Sequence, residues 1–356
     1  MNKALPDLPA RVRTEVERAI QRGIKGVEYF ASSPSSNPGM ARELIYQRGT
    51  LRLYRYKPLA DEVYRVPVLL VMSLINRAYL FDLAPGQSMV EFLLESGYEV
   101  YLIDWGVPRH EDRHLALEDY AFDLIPDCAR RVMADAGEQQ LSIISYCMGG
   151  ILSVIYGATH PDAGLKNLIC LSTPIDWRGM ELFSNWADRR YFDVDRLVDT
   201  LGNVPPDVIY AAMDLLRPAS KSAARLQLLD NLWNDAYVDG YRLFNRWASD
   251  QIPFPGECFR QLIKQVMWDN ALAENKLELA GRRVDLSELT ASFLHAVAEH
   301  DHIAPHAATK ALVPLIGSQD KEEVVFKGGH VSVVAGPSAV KRLWPKLDDW
   351  LGARST

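Results

Sequence analysis

LSIISYCMGGILSVIYGATH, residues 141–160, decides how the rest of the chain is read. LSIISY (141–146) is an apolar run of buried-strand length, the residues from about Met148 to Thr159 suit a helix, and SYCMGG (145–150) lies between them. A sharp turn from strand straight into helix crowds backbone against backbone, so it tolerates only small residues two positions either side of its apex. Ser145 and Gly149 meet that need, and Gly150 lets the helix pack closely. The apex is Cys147, the nucleophile position of a small-x-nucleophile-x-Gly pattern. Glycine is the usual residue where Ser145 stands, so the motif departs from the common form while staying small. Burial without chemistry is the common fate of a free cysteine. The strand-turn-helix setting is what separates Cys147 from that reading.

Outward from this stretch, strand and helix patterns alternate. VPVLLVM (66–72), YEVYLID (98–104) and NLICLS (167–172) read as buried strands, and Leu51–Tyr56 as a half-buried one. Helices are expected at QSMVEFLLESG, ended by Gly97, and around Leu117–Ala136. After TPIDW (173–177) the rhythm breaks into aromatic, helical text with turns at GNVPPD (202–207) and IPFPGE (252–257). It resumes with ASFLHAVAEHD (291–301), a helix, EEVVFK (322–327) and a last helix ending near Leu351. Such alternation predicts a mostly parallel sheet flanked by helices. The expected organisation is an N-terminal helical extension (1–40), an α/β core (41–177 and 286–356) and an inserted, largely helical cap (178–285). The extension would hold an amphipathic helix over Pro9–Tyr29 and a loop at SSPSSNPG (32–39).

With a nucleophile on such a turn, the order nucleophile, acid, histidine is that of the α/β-hydrolase fold. Asp301 closes the next-to-last expected strand, and His330 follows the last one in KGGHVS. Both fall at carboxyl ends of strands, the edge that carries Cys147. An N-cap aspartate and a turn histidine are the bland readings of each alone; three placements in the right order favour a catalytic set. The oxyanion donors expected are the backbone N–H of Met148 and one from Leu74 or Ile75, in the loop after VPVLLVM. Asn76, Trp105 and His302 are the substrate-side candidates, Trp105 being the more suited to supporting the fold near the pocket. His110 and His114 in HEDRH read as a solvated face, so no metal is expected.

Composition narrows the class. A chain of 356 residues, 48% hydrophobic and 24% charged, can bury a full core. Its net charge of -7 argues against nucleic-acid binding. Four scattered cysteines fit neither a zinc site nor a disulfide scaffold, which suggests a reducing cytoplasm. The charged N-terminus lacks a signal peptide's apolar region, and no stretch reaches the roughly 18 apolar residues of a membrane span. Any attachment to a lipid body would be peripheral.

A cysteine nucleophile exchanging with a thioester expels another thiolate of similar basicity, which suits acyl transfer from coenzyme A. Here a resemblance becomes specific. SLINR (73–77), DLAPGQSMVEFLLESGYEVYLIDWGVP (82–108), SYCMGG, LSTPIDW (171–177), PGECFRQLIKQVMWDN (255–270), VDLSEL (284–289), AEHDHIAP (298–305) and GGHVSVVAGP (328–337) resemble successive blocks of polyhydroxyalkanoate synthases. The short chain is similar to catalytic subunits that act with a second synthase subunit, and its Tyr-Cys-Met-Gly-Gly elbow also resembles the short synthases of bacilli. The resemblance implies polymerisation of (R)-3-hydroxyacyl-CoA, short-chain such as 3-hydroxybutyryl-CoA, with the polyester carried on Cys147 and His330 activating it. Asp301 would either orient His330 or help activate the substrate 3-hydroxyl, and the resemblance leans to the second. No cofactor is implied, coenzyme A being part of the substrate and a product. The partners implied are the growing polyester and its granule surface, a second subunit, and a homodimeric or hetero-oligomeric assembly. A cysteine-dependent ester or lactone hydrolase, or a non-catalytic scaffold binding through the aromatic cap, are the competing readings.

Overall fold

Val68–Val71 and Leu141–Tyr146 are buried at every residue, the signature of strands covered by helices on both faces. The computed structural model describes residues 8–31, 39–60, 62–216 and 218–356; all of the expected loop except Gly39 lies outside them. In chain order come α1 (Leu8–Ala31), β1 (Arg42–Arg48), β2 (Leu51–Tyr56), β3 (Val68–Val71), α2 (Met89–Glu95), β4 (Val100–Asp104) and α3 (Ile125–Ala136). Next are β5 (Leu141–Tyr146), α4 (Met148–Thr159), β6 (Leu165–Leu171), α5 (Glu181–Trp186), α6 (Val194–Leu201), α7 (Pro206–Leu215), α8 (Pro218–Asp230), α9 (Asp235–Ser249) and α10 (Gly256–Gln261). A small hairpin of β7 (Glu278–Leu279) and β8 (Arg282–Arg283) precedes β9 (Ser292–Ala298), α11 (His306–Thr309), α12 (Leu312–Leu315), β10 (Lys321–Phe326) and α13 (Trp344–Gly352).

Eight strands form one sheet in the order β1-β2-β4-β3-β5-β6-β9-β10. From β4 to β10 every pairing is parallel, while β2 runs antiparallel to β4 and to β1. The carboxyl ends of β3, β5, β6 and β9 therefore share one edge, where an open α/β sheet places its site. At the centre α4 is buried along its whole length, with Ser153 and Thr159 donating to the Gly149 and Ile155 carbonyls a turn back.

Several details differ from the sequence reading. β1 went unread because RELIYQR is an edge strand with no fully buried residue, so its apolar pattern is weak. The helix expected from Leu117 begins instead as a π-helical turn at Asp119–Leu124 before α3, which Gly137 ends at φ 71. HEDRH is a 3-10 turn.

By contacts the chain divides into two compact units. One contains α1, α8 and α9: Lys25 pairs with Asp235 at 2.9 Å, Arg18 lies 4.6 Å over the Trp233 ring, and Leu228, Leu232 and Val238 form a small core. The other holds the sheet and its helices, including α5, α6, α7 and α10. The segment expected as the cap is thus shared between the two, and α1 groups with part of it.

Candidate active site

β5 ends at Tyr146 and α4 starts at Met148, leaving Cys147 alone in the turn at φ 53, ψ -117. A side chain held at such a positive φ costs about 1–3 kcal/mol and persists only where its surroundings fix it. They do: the Cys147 N–H donates to the Leu171 carbonyl at 2.8 Å. A Cβ on Gly149 would stand 2.7 Å from the Met72 carbonyl oxygen and nearer that of Val71, and one on Gly150 would overlap the Thr173 hydroxyl. Ser145 fits because its hydroxyl turns back into the sheet and donates to the Ile169 carbonyl at 3.1 Å.

Asp301 and His330 meet at the same edge, with His330 Nδ1 2.7 Å from Asp301 Oδ2. The other carboxylate oxygen accepts the backbone N–H of Ile303 at 2.9 Å and of Ala304 at 2.8 Å, so the loop after β9 fixes the acid. Both side chains are buried. Burial opposes a charged His330, but the Asp301 carboxylate, with Cys147 beside it, raises it well above its ordinary value. Burial likewise opposes a charged Asp301, yet His330 and the backbone donor of Ala304 hold it below the ordinary carboxylate range. The Tyr146 ring packs 5.0 Å from the His330 ring and braces it. Sequence reasoning passed over Tyr146 as strand text, and only its position beside the elbow could have signalled it.

Cys147 is half-buried, whereas Cys128, Cys170 and Cys258 are buried. It opens on a cavity of about 220 Å³ whose other described lining side chains are all apolar, among them Ile75, Met148, Trp177, Phe254 and Ile303. Phe183, Met213 and Met267, from the segment expected as the cap, line the same cavity. Met148 begins α4, where helix N–H groups have no partner within the helix, and Ile75 lies across the cavity on the loop after β3. Leu74 is buried beside it. Asn76 pairs with Gln251 through a backbone bridge. His302 is exposed, on the loop next to Asp301. Trp105, expected on the substrate side, is buried in the core: its indole N–H donates to the Met72 carbonyl at 2.9 Å and its ring meets Tyr120 edge-on. That makes it a support for the end of β3.

Sheet order, elbow and the acid–histidine pair together define the α/β-hydrolase class. A family model for the alpha/beta hydrolase fold matches residues 67–337, and one for the N-terminus of poly-beta-hydroxybutyrate polymerase (PhaC) matches residues 37–93. The chain is 35% identical over 317 residues to the poly(3-hydroxyalkanoate) polymerase subunit PhaC of Haloferax mediterranei, covering 88% of this chain and 64% of that one. It is 33% identical to the subunit of the same name from Allochromatium vinosum, covering 93% of this chain and 94% of the other. The chain belongs to the PhaC family of poly(3-hydroxyalkanoate) polymerase subunits. Its fold is similar to a soluble variant of monoglyceride lipase from Saccharomyces cerevisiae, with a TM-score of 0.57, 14% identity and coverage of 91% of this chain and 99% of that one. An esterase from Thermogutta terrifontis gives a TM-score of 0.52 at 17% identity, covering 89% of this chain and all of that one.

Proposed function

We propose that this chain transfers (R)-3-hydroxyacyl groups from coenzyme A onto a growing polyester carried as a thioester on Cys147. The observation that carries the reading is the half-buried Cys147 thiol, strained at a nucleophile elbow and facing an apolar cavity beside the His330–Asp301 pair.

In the first step His330 takes the Cys147 proton and the thiolate attacks the thioester carbonyl carbon. The carbon–sulfur bond to coenzyme A breaks, and the departing thiolate recovers the proton from His330. In the second step the 3-hydroxyl oxygen of another hydroxyacyl-CoA attacks the acyl-Cys147 carbonyl, giving up its proton to His330. A new ester bond forms, the thioester to Cys147 breaks, the Cys147 thiolate recovers the proton from His330, and the lengthened acyl group, now on coenzyme A, reloads Cys147 by the first step. The N–H of Met148 and that of Ile75 are the candidates to hold the carbonyl oxygen as it gains charge.

Asp301 orients His330 in this scheme. Both of its oxygens are engaged, one by His330 and the other by two backbone N–H groups, which leaves it poorly placed to receive a substrate proton. An apolar cavity without polar side chains favours transfer over hydrolysis, because water competes poorly for the acyl group there. A short-chain 3-hydroxyacyl substrate, a second subunit and peripheral association with the polyester granule complete the proposal; no described helix is long and apolar enough to cross a membrane. The test is coenzyme A release from (R)-3-hydroxybutyryl-CoA, with and without a candidate second subunit. Release with insoluble polyester supports the proposal, and release with free 3-hydroxy acid makes the chain a hydrolase.

A further inference from the structure

A row of polar side chains crosses the sheet under the site. Ser145, Cys170, His295 and Glu323 are lateral partners on β5, β6, β9 and β10. Lateral partners in register present their side chains to one face. The row is joined at both ends: Ser145 Oγ lies 3.5 Å from Cys170 Sγ, and His295 Nδ1 lies 3.3 Å from Glu323 Oε1. The second Glu323 oxygen meets His306 Nε2 at 3.0 Å. His295 is fully buried and Glu323 is half-buried at an edge strand. Glu323 is therefore a carboxylate gripped by two imidazoles, one from β9 and one from α11.

What α11 does gives this grip its consequence. The chain from Asp301 to His306 is the loop whose backbone N–H groups hold the acid. On its other side α11 presents the Ala308 carbonyl, which accepts the N–H of Ile175 and of Asp176, each at 2.9 Å. Pro174 and Trp177, which flank those residues, and Ile303 in the acid loop all line the cavity. Fixing α11 therefore fixes both the acid loop and one cavity wall. Neither His295 nor Glu323 was singled out by the sequence, and the reaction scheme uses neither.

We infer that Glu323, through His306, is a positioning residue that holds the Asp301 loop in register with His330. The groups facing its carboxylate are His295 and His306; Lys321 on the same strand is engaged by the Ile316 carbonyl at 2.6 Å. Hydrogen bonding from His295 opposes the cost of burial and, with His306, keeps Glu323 below the ordinary carboxylate range, while burial holds His295 below its own ordinary value. The buried partner is thus a neutral imidazole donating Nδ1–H to an anion. This inference rests on the proposed catalytic roles of Asp301 and His330.

The test is an NMR titration of His330 in the full-length protein and in Glu323→Ala, Glu323→Gln, His306→Ala and His306→Gln, with Cys147 alkylation by iodoacetamide measured alongside. A slackened Asp301 holds the imidazolium less well. The His330 midpoint should therefore fall by about one pH unit in Glu323→Ala and His306→Ala. His306→Gln, whose side-chain N–H reaches towards the same carboxylate, should restore most of it, and Glu323→Gln should fall between. Loss of thermal stability with the His330 midpoint unmoved in all four variants would leave Glu323 a structural residue only and overturn the inference. Alkylation reports separately on the catalytic reading: if Cys147 reacts no faster than buried Cys128, that reading fails whatever the His330 titration shows.

Discussion

At the scale of single residues, Cys147 has no substitute in the proposed chemistry. Cys147→Ala should abolish coenzyme A release, by at least about 1,000-fold, while leaving the thermal transition in place. Cys147→Ser should be nearly as inactive, because an alcohol is far harder to ionise than a thiol. Asp301→Asn should slow single-turnover acylation and steady-state release by similar factors, since both steps need the same His330 tautomer. Loss of steady-state release alone would return Asp301 to the hydroxyl-activating role. The pair also has a pH signature. His330 is raised from its ordinary 6.5, so its contribution to stability is complete below that pH and is lost as pH rises through the folded value. Asp301 is lowered from its ordinary 3.8, so its contribution is present above that pH and is lost as pH falls through the folded value. The pair therefore stabilises the fold most between these two ordinary values. In a Cys147→Ala background, Asp301→Asn should lower the melting temperature more at pH 6 than at pH 9, and an equal drop at both would contradict the shifts.

At the scale of elements, the β5–Cys147–α4 turn is where packing and chemistry meet. Gly149→Ala would push a methyl group against the carbonyl oxygens of Val71 and Met72, with β3 unable to retreat from between β4 and β5. The expected cost is about 1–3 kcal/mol in denaturant unfolding, with activity lost beyond the loss of folded protein. An unchanged midpoint would mean that the elbow relaxes freely. This turn was legible in the sequence because sterics leave a mark there: small residues at 145, 149 and 150 around a lone cysteine. The parallel strands were legible through their unbroken apolar runs. β1 was not, since an edge strand has little to bury, and neither was the π-helical start before α3, a short i→i+5 turn too brief to set an apolar period of its own. Asp301 and His330 were picked out by their place in chain order, and the structure brings their side chains together at 2.7 Å. Trp105 stood between two readings because an aromatic beside a strand end suits a pocket wall and a core alike; its bond to the Met72 carbonyl shows the fold-supporting one.

At the scale of the whole molecule, the sequence reading assigned 178–285 to a single inserted cap, whereas by contacts its helices fall into two units. The segment 178–285 contributes α8 and α9 to the unit that contains α1, and α5, α6, α7 and α10 to the unit that contains the sheet. Helical period alone does not say which apolar face meets which. The described residues that line the cavity beside Cys147 all belong to the sheet unit. The proposed chemistry turns on a covalent acyl group on Cys147, which mass spectrometry of peptides from the native protein, quenched in acid after mixing with (R)-3-hydroxybutyryl-CoA, would detect. One or more hydroxybutyryl units are expected on the peptide containing Cys147, removed by hydroxylamine and absent in Cys147→Ala. Coenzyme A release with that peptide unmodified at every quench time, or with the acyl group on another residue, would contradict it.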